Sequence, residues 1–253
     1  MNYGISILSI IPVRLEPNNR SEMTTQLIFG EHFIILESIK KWSKIQIAHD
    51  KYVGWISNNQ IQEIDFEEYE KLDKEIPTLS TDILDIIEGD FNQPIVIGSV
   101  LPTFKSDHAL INNKMYKFTG NTTQGFSQRK HLINNAMVFL NAPYLWGGRT
   151  PFGIDCSGFI QIIYRLQGIK IPRDAYQQID LGQEINLNNC EEGDLAFFEN
   201  KSGKITHVGL ILENNKIIHA SGQVRIDKLD EKGIFNSEKQ KYSHKLNSIK
   251  KLI

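Results

Sequence analysis

Gly153-Ile154-Asp155-Cys156-Ser157-Gly158-Phe159 is the stretch that most constrains the fold and the chemistry of this chain. It opens a predicted helix, because Asp155 is a favoured N-cap residue and Gly168 suits the position after the last turn. The apolar residues that follow have the spacing of a buried helix face: Phe159, Ile162, Ile163 and Leu166. Cys156 is therefore expected in the first helical turn.

A thiol in that position is expected to be a nucleophile. The positive end of the helix dipole and the free backbone N–H groups favour the thiolate, so we expect a lowered pKa for Cys156. The alternative is a small buried apolar side chain, which is the commoner role of a free cysteine. We assign that structural role to Cys190, the second of the two cysteines.

Four apolar runs downstream predict β-strands, and together with the helix they predict an α+β unit. The runs are residues 195–198, 207–212, 216–220 and 224–227. His207 begins one predicted strand and His219 lies on the next. They supply the base and the orienting partner that a cysteine nucleophile needs.

A shared site requires both imidazoles on one face of the sheet. A two-residue turn at Asn214-Asn215 would place His207 and His219 on opposite faces, so we predict either an odd loop, such as residues 213–215, or a bulge. We interpret the remaining histidines as structural: His32, His49, His108, His131 and His244.

Metal binding is the competing use of cysteine and histidine. A zinc site usually has four ligands, or three and a water, and the spacings supply no Cys-x-x-Cys or His-x-x-x-His pair. We therefore rank metal binding well below catalysis and expect no cofactor.

Turn residues divide the front of the chain into short apolar runs. Residues 4–64 predict a small all-β barrel, and residues 79–124 predict a second small β unit. Residues 65–74 predict an acidic, solvated linker that can include a helical turn. Residues 128–140 have the period of an amphipathic helix. The predicted domains are thus residues 1–70, 71–125 and 126–253.

Composition narrows the partners and the compartment. The formal net charge of −2 over 253 residues offers no general attraction to nucleic acid or to anionic membranes. The amino terminus has no signal-peptide pattern, no apolar run approaches a membrane span, and the two cysteines suit a reducing compartment. We expect a cytoplasmic protein that is a monomer.

Five ordered motifs carry a family resemblance: YLWGGR (144–149), GIDCSGF (153–159), GDL (193–195), THVG (206–209) and IHA (218–220). The set resembles the NlpC/P60 cysteine peptidases, which have a papain-like core. The resemblance covers about residues 125–230. It implies a papain-like catalytic domain in which Cys156, His207 and His219 form the triad, and in which His207 shares an ion pair with the Cys156 thiolate.

A second resemblance concerns the front of the chain, which is similar to a bacterial SH3-like (SH3b) domain. It rests on PVR (12–14), SE (21–22), Gln26, GE (30–31), Trp42, Tyr52 and GWI (54–56). The combination is similar to the γ-D-glutamyl-L-diamino acid endopeptidases of murein recycling, also called dipeptidyl-peptidase VI. That resemblance implies cleavage of cell-wall peptides with a free N-terminal L-alanine, because the SH3b domain closes the cleft in those enzymes.

The resemblance also implies residues that bind substrate. Asp155 and Ser157 would contact its N-terminal end, and Tyr52 and Glu22 would hold the free α-amino group. The cleft would be lined by Trp146 and Tyr144. Each has a structural alternative: Asp155 as an N-cap alone, Tyr52 and Trp146 as core aromatics, and Glu22 as a solvated surface charge.

Two other functions fit the same residues. One is an exported hydrolase of intact peptidoglycan that uses the SH3b region to bind the wall, against which the missing signal peptide argues. The other is a binding protein or an acyltransferase with the same Cys/His arrangement. The complete triad argues against the binding protein, and a screen with acyl donors would test for acyl transfer.

Overall fold

The computed structural model describes residues 1–125 and 129–253, and the chain divides into two compact units, Met1–Gly125 and Phe126–Ile253. Within the described residues, no helix is long and apolar enough to span a bilayer. The boundary predicted near residue 125 coincides with this division, whereas the finer division near residue 70 stays a prediction.

The first unit begins with an antiparallel sheet in the order β3-β2-β6-β5-β4-β1-β7. Its strands are β1 (Asn2–Ile5), β2 (Ile10–Arg14), β3 (Met23–Ile28), β4 (His32–Ile39), β5 (Trp42–Ile47), β6 (Val53–Ser57) and β7 (Gln62–Ile64), with a 3₁₀ turn at Asn58–Gln60. Side chains along β5 alternate between buried and partly exposed, as expected for a sheet with one face on a core. This is the predicted all-β region.

The segment predicted as a solvated linker that can include a helical turn is a nine-residue packed helix, α1 (Phe66–Lys74). Its N-cap Asp65 accepts a hydrogen bond from the Glu68 N–H, and Tyr69 and Leu72 are buried in the same apolar cluster as Ile5. The charged residues that suggested a linker form the outer face of an amphipathic helix.

The rest of the first unit consists of short antiparallel strands. They are β8 (Thr78–Ser80), β9 (Leu84–Ile87), β10 (Gln93–Val96), β11 (Val100–Leu101), β12 (His108–Ile111), β13 (Lys114–Lys117) and β14 (Thr122–Thr123). They share a core with the first sheet, since Ile95 and Phe118 pack in one cluster with Phe29. Gly30 allows this approach: its φ is +78°, and a Cβ there would lie 2.0 Å from the Val100 carbonyl oxygen.

The second unit combines helices with an antiparallel sheet in the order β17-β23-β18-β19-β20-β21-β22. Its elements are α2 (Arg129–Val138), β15 (Arg149–Thr150), β16 (Gly153–Ile154), α3 (Cys156–Arg165), α4 (Ala175–Gln178), β17 (Gln183–Ile185), a 3₁₀ turn (Leu187–Asn189), β18 (Leu195–Glu199), β19 (Ile205–Leu212), β20 (Lys216–Ser221), β21 (Gln223–Asp230), β22 (Gly233–Asn236) and β23 (Lys241–Lys251). Strand β23 also pairs with β22, so the sheet closes on itself.

Helix α3 is the element that positions the candidate nucleophile. All ten of its residues are buried, and it packs against β19 and β20. Gly168 follows it with a φ of +77°, as the sequence predicts for a residue after a helix end. Helix α2 covers most of the helix predicted at 128–140, and it buries Leu132 and Ala136; Gln128 lies outside the described residues.

Candidate active site

Cys156 is the first residue of α3, as predicted, and its side chain is buried. The backbone N–H groups of Val208 and Ser157 donate hydrogen bonds toward the thiol. Val208 directly follows His207 on β19. Strand β19 therefore brings the backbone beside His207 to the sulfur.

His207 and His219 lie on the same face of the sheet. Leu212 pairs with Lys216, so the loop between β19 and β20 has three residues, 213–215, which confirms the predicted odd loop. The two imidazoles meet across the strands, with His207 Nε2 2.8 Å from His219 Nδ1. Both histidines are buried.

The hydrogen-bonded series continues beyond the two histidines. His219 Nε2 lies 3.1 Å from Asp227 Oδ2, and Arg225 Nε lies 2.9 Å from the same oxygen. Arg225 also forms an ion pair with Glu238, with Nη2 and Oε2 3.1 Å apart. The site thus extends along β21 to a carboxylate and a guanidinium that sequence reasoning did not assign.

The expected lowered pKa of the Cys156 thiol is wrong for this structure. Burial raises that pKa to about 12, and the Asp155 carboxylate raises it further against the opposing effect of the backbone N–H groups. Burial and the neighbouring His244 and His219 hold the pKa of His207 well below its ordinary value of 6.5. Both shifts favour the uncharged forms of the two groups and so oppose the expected ion pair, which stays a prediction.

Asp155 is held by more contacts than an N-cap requires. Its Oδ1 accepts from the Gly158 N–H at 2.7 Å, and its Oδ2 accepts from the Gly147 N–H at 2.9 Å. The buried Arg173 forms a two-pronged ion pair with the carboxylate, at 3.0 and 2.6 Å, and also donates to Ser157 Oγ at 2.9 Å. Because a carboxylate has about four acceptor positions, these bonds occupy it, and a substrate ammonium would have to displace one.

The predicted cleft residues differ in their surroundings. Tyr144 is partly buried, and burial together with the nearby Cys156 and Asp155 raises the pKa of its hydroxyl to about 12. Trp146 is 59% exposed and directly precedes Gly147, which binds Asp155. The structure therefore brings Tyr144 to Cys156 and leaves a large part of the Trp146 indole accessible.

Tyr52 and Glu22 lie in the first compact unit. Tyr52 packs against the barrel core and its N–H donates to Asp50 Oδ1, while Glu22 is exposed at the start of β3. Their predicted contact with a substrate amine stays a prediction.

His244 also lies near the site, although the sequence analysis interpreted it as a structural histidine. Its ring stacks on His207, with centroids 4.0 Å apart and planes at 19°, and burial lowers its pKa to about 4. His207, His219 and His244 each place one possible ligand nitrogen within 4.8 Å of the others. The His219 nitrogens are both engaged in hydrogen bonds, so these residues are better arranged for proton transfer than for metal coordination.

Comparison with known proteins identifies the two regions. Residues 141–242 match the model of the NlpC/P60 family, and residues 13–61 match that of the bacterial dipeptidyl-peptidase Sh3 domain. The chain combines an NlpC/P60 domain with a bacterial SH3 domain. It is therefore a hydrolase of the cysteine peptidase class.

Several curated relatives span most of the chain. Proteins named gamma-D-glutamyl-L-lysine dipeptidyl-peptidase from Bacillus subtilis and Bacillus cereus are 28% and 26% identical over 78% and 80% of this chain, and over 71% and 68% of their own. A protein named dipeptidyl-peptidase 6 from Lysinibacillus sphaericus is 25% identical over 90% of this chain and 92% of its own.

A solved structure shows the same fold. The crystal structure of an NlpC/P60 family protein from Bacillus cereus covers 98% of this chain and 99% of its own with a TM-score of 0.83 and 20% identity. The predicted fold class, a papain-like NlpC/P60 domain preceded by an SH3b-like all-β region, is confirmed.

Proposed function

We propose that this peptidase hydrolyses the bond between γ-D-glutamate and the following diamino acid in murein peptides that carry a free N-terminal L-alanine. The observation that carries the proposal is the 2.8 Å hydrogen bond between His207 and His219. Val208, the residue after His207 on β19, contacts the Cys156 thiol. The names of relatives that span most of the chain support the choice of bond.

In the proposed reaction Cys156 is the nucleophile, His207 the base and His219 its orienting partner. Because burial favours a neutral thiol and a neutral imidazole, His207 takes the thiol proton in this scheme as the sulfur bonds to the γ-carbonyl carbon. His207 then gives that proton to the leaving amine as the C–N bond breaks. Water hydrolyses the thioester and restores the thiol.

Backbone groups at the start of α3 suit the negative charge of the intermediate. The Cys156 N–H lies at a helix N-terminus, where the first N–H groups have no partner within the helix. An oxyanion there would gain fixed donors and a favourable dipole. No cofactor takes part in this scheme.

We place the substrate amine near Ser157 and Asp155, with Tyr52 and Glu22 from the SH3 domain as further acceptors. An ammonium loses hydration in a closed subsite and needs acceptors to offset that loss. Arg173 neutralises much of the Asp155 charge, so the other acceptors carry a larger part of the selectivity. Trp146 and Tyr144 line the cleft in this proposal.

We also propose that the protein works in the cytoplasm, as a monomer, on peptides released during wall turnover. Such peptides would have to be taken up into the cytoplasm, which is the reducing compartment predicted from the two cysteines. Fractionation of cells that produce the tagged full-length protein tests this placement, and recovery with the wall fraction would contradict it.

The experiment that tests the function uses defined peptides. Wild-type protein incubated with L-Ala-γ-D-Glu-meso-diaminopimelate, or with the L-lysine analogue, should release L-Ala-γ-D-Glu, detected by mass, and Cys156→Ala should not. Activity on intact sacculi but not on these peptides would instead indicate a wall hydrolase. Transfer of an acyl group from a donor without peptide cleavage would indicate an acyltransferase.

Acetylating the N-terminus of the same peptide tests the proposed amine subsite. One buried acceptor left unpaired should lower kcat/KM by about 5- to 150-fold. Tyr52→Phe should narrow the gap between free and acetylated peptide, whereas Tyr116→Phe, in the same unit, should leave it unchanged. Equal rates on both peptides would remove the subsite from the proposal.

A further inference from the structure

Asp227 is a buried carboxylate that the triad itself does not require. It lies on β21, where Ile217 pairs with it and His219 pairs with Arg225, so it is a diagonal neighbour of His219 on the sheet. Its side chain is 4% exposed, and its Oδ2 lies 3.1 Å from His219 Nε2. Burial alone would raise its pKa, but hydrogen bonds from His219 and Arg225 hold the pKa of Asp227 below its ordinary value.

An ionised carboxylate fixes the proton on His219. Such a group only accepts hydrogen bonds, so His219 must carry its proton on Nε2 to bond to it. A neutral imidazole has one N–H, which leaves His219 Nδ1 as an acceptor. That nitrogen lies 2.8 Å from His207 Nε2.

The same reasoning then fixes the proton on His207. Because His219 Nδ1 accepts, His207 Nε2 must donate, and the neutral His207 ring is left with an unprotonated Nδ1. This is the one ring nitrogen of His207 that can take a proton from a thiol. With the opposite tautomers, the 2.8 Å contact would still form, but His207 Nδ1 would already carry a proton and could not accept one from the thiol.

We propose that Asp227 is a positioning residue that sets the tautomers of His219 and, through it, of His207, so that His207 Nδ1 is free to act as the base. This rests on the proposed function, in which His207 takes the Cys156 proton. Arg225 keeps the carboxylate in place with bonds of 2.9 and 3.2 Å, and Glu238 holds Arg225 from the other side. The carboxylate acts across two imidazoles rather than one.

The tautomers can be read directly from the resting protein. Nitrogen-15 chemical shifts of the histidine side chains in full-length wild-type protein at neutral pH should show Nε2 protonated and Nδ1 unprotonated for both His207 and His219. Assignment comes from His207→Gln and His219→Gln spectra. A proton on Nδ1 of either ring in the wild-type protein would overturn the proposal, and this readout requires no Asp227 variant to fold.

Variants test the consequence for the thiol. Asp227→Ala should slow alkylation of Cys156 by iodoacetamide and lower kcat/KM by about 10- to 150-fold, the factor that corresponds to one lost hydrogen bond to a charged group. Asp227→Glu, which keeps an acceptor, should recover part of the rate. Asp230→Ala is the matched control, because Asp230 is a carboxylate on the same strand that binds Tyr242 instead, and it should change either rate by less than about 2-fold.

Three outcomes separate this proposal from the proposed function. A folded Asp227→Ala protein with unchanged alkylation and unchanged His207 nitrogen shifts would overturn the role of Asp227. Equal losses in Asp227→Ala and Asp230→Ala without a tautomer change would do the same. Alkylation and nitrogen shifts need no peptide, so a wild-type protein inactive on murein peptides would end only the proposed function.

Discussion

Two Asp–Arg pairs stand on either side of the candidate site, and they use their carboxylates differently. Asp155 binds Arg173 and two backbone N–H groups around the start of α3. Asp227 shares one oxygen between Arg225 and His219 on the sheet. The helix side therefore fixes where the sulfur lies, and the sheet side fixes where the protons lie.

The surroundings of the two reacting side chains also favour their uncharged forms. The Asp155 carboxylate raises the pKa of the Cys156 thiol, and no charged partner of His207 among the described residues offsets its burial. These shifts favour proton transfer during attack over a preformed ion pair as the source of the nucleophile. Helix position alone did not predict this, because burial outweighs the helix dipole.

The largest expected effect comes from removing the sulfur on the helix side. Cys156→Ala should abolish turnover of the murein peptide, because nothing else in the site can form the thioester. Cys190→Ala is the matched control, since Cys190 is a half-buried free thiol that packs against the sheet core. Peptide release measured by mass spectrometry should be lost only in the first variant, and equal loss in both would reverse the assignment.

On the sheet side, the effect should be graded along the hydrogen-bonded series. His207→Ala should lower kcat by about 10²- to 10⁴-fold, the usual contribution of a general base. His219→Asn can still hydrogen-bond to His207 and should retain partial activity. Steady-state kinetics checks both, and full activity in His207→Ala would remove the base from the mechanism.

How much of this the sequence predicts depends on how local the signal is. The helix start was predicted because Asp155 caps a residue only three positions away. The three-residue loop was predicted because a shared site needs His207 and His219 on one face, and strand parity then excludes a two-residue turn. Each of these follows from neighbouring residues alone.

The residues that were missed depend on longer-range geometry. Arg173 reaches Asp155 from 18 positions along the chain, and Asp227 meets His219 only through the β20–β21 register. His244 reaches His207 because a bulge in β23 at Asn247 changes the strand's parity. Neither composition nor periodicity records such placements.

The Asp155–Arg173 pair should matter for stability more than for chemistry. Its side chains are 8% and 1% exposed, so Arg173→Met would leave a buried carboxylate unpaired and should destabilise the protein by about 3–5 kcal/mol. Lys114→Met is the control, because the Lys114–Asp90 pair is exposed to solvent and its loss should leave the urea midpoint nearly unchanged. Urea denaturation compares the two variants, and equal midpoints would contradict the stabilising role assigned to Arg173.

The smallest effect concerns pH. The rings that face His207 are Phe198, His219 and His244. Burial and the two neighbouring histidines disfavour an imidazolium at His207 and lower its pKa. Activity should fall only as the pH drops through the lowered pKa of His207, below 6.5. The ultraviolet thiolate absorbance that distinguishes wild type from Cys156→Ala should be missing at neutral pH and appear only under strongly alkaline conditions. A thiolate signal at neutral pH would instead support the ion pair between the Cys156 thiolate and a protonated His207.

The most direct test of the central claim is to trap the acyl-enzyme. Wild-type protein is quenched in acid during turnover of L-Ala-γ-D-Glu-meso-diaminopimelate, digested, and analysed by mass spectrometry. The peptide that contains Cys156 should carry L-Ala-γ-D-Glu as a thioester. The adduct on Cys190, or product formed at the wild-type rate by Cys156→Ala, would contradict the account.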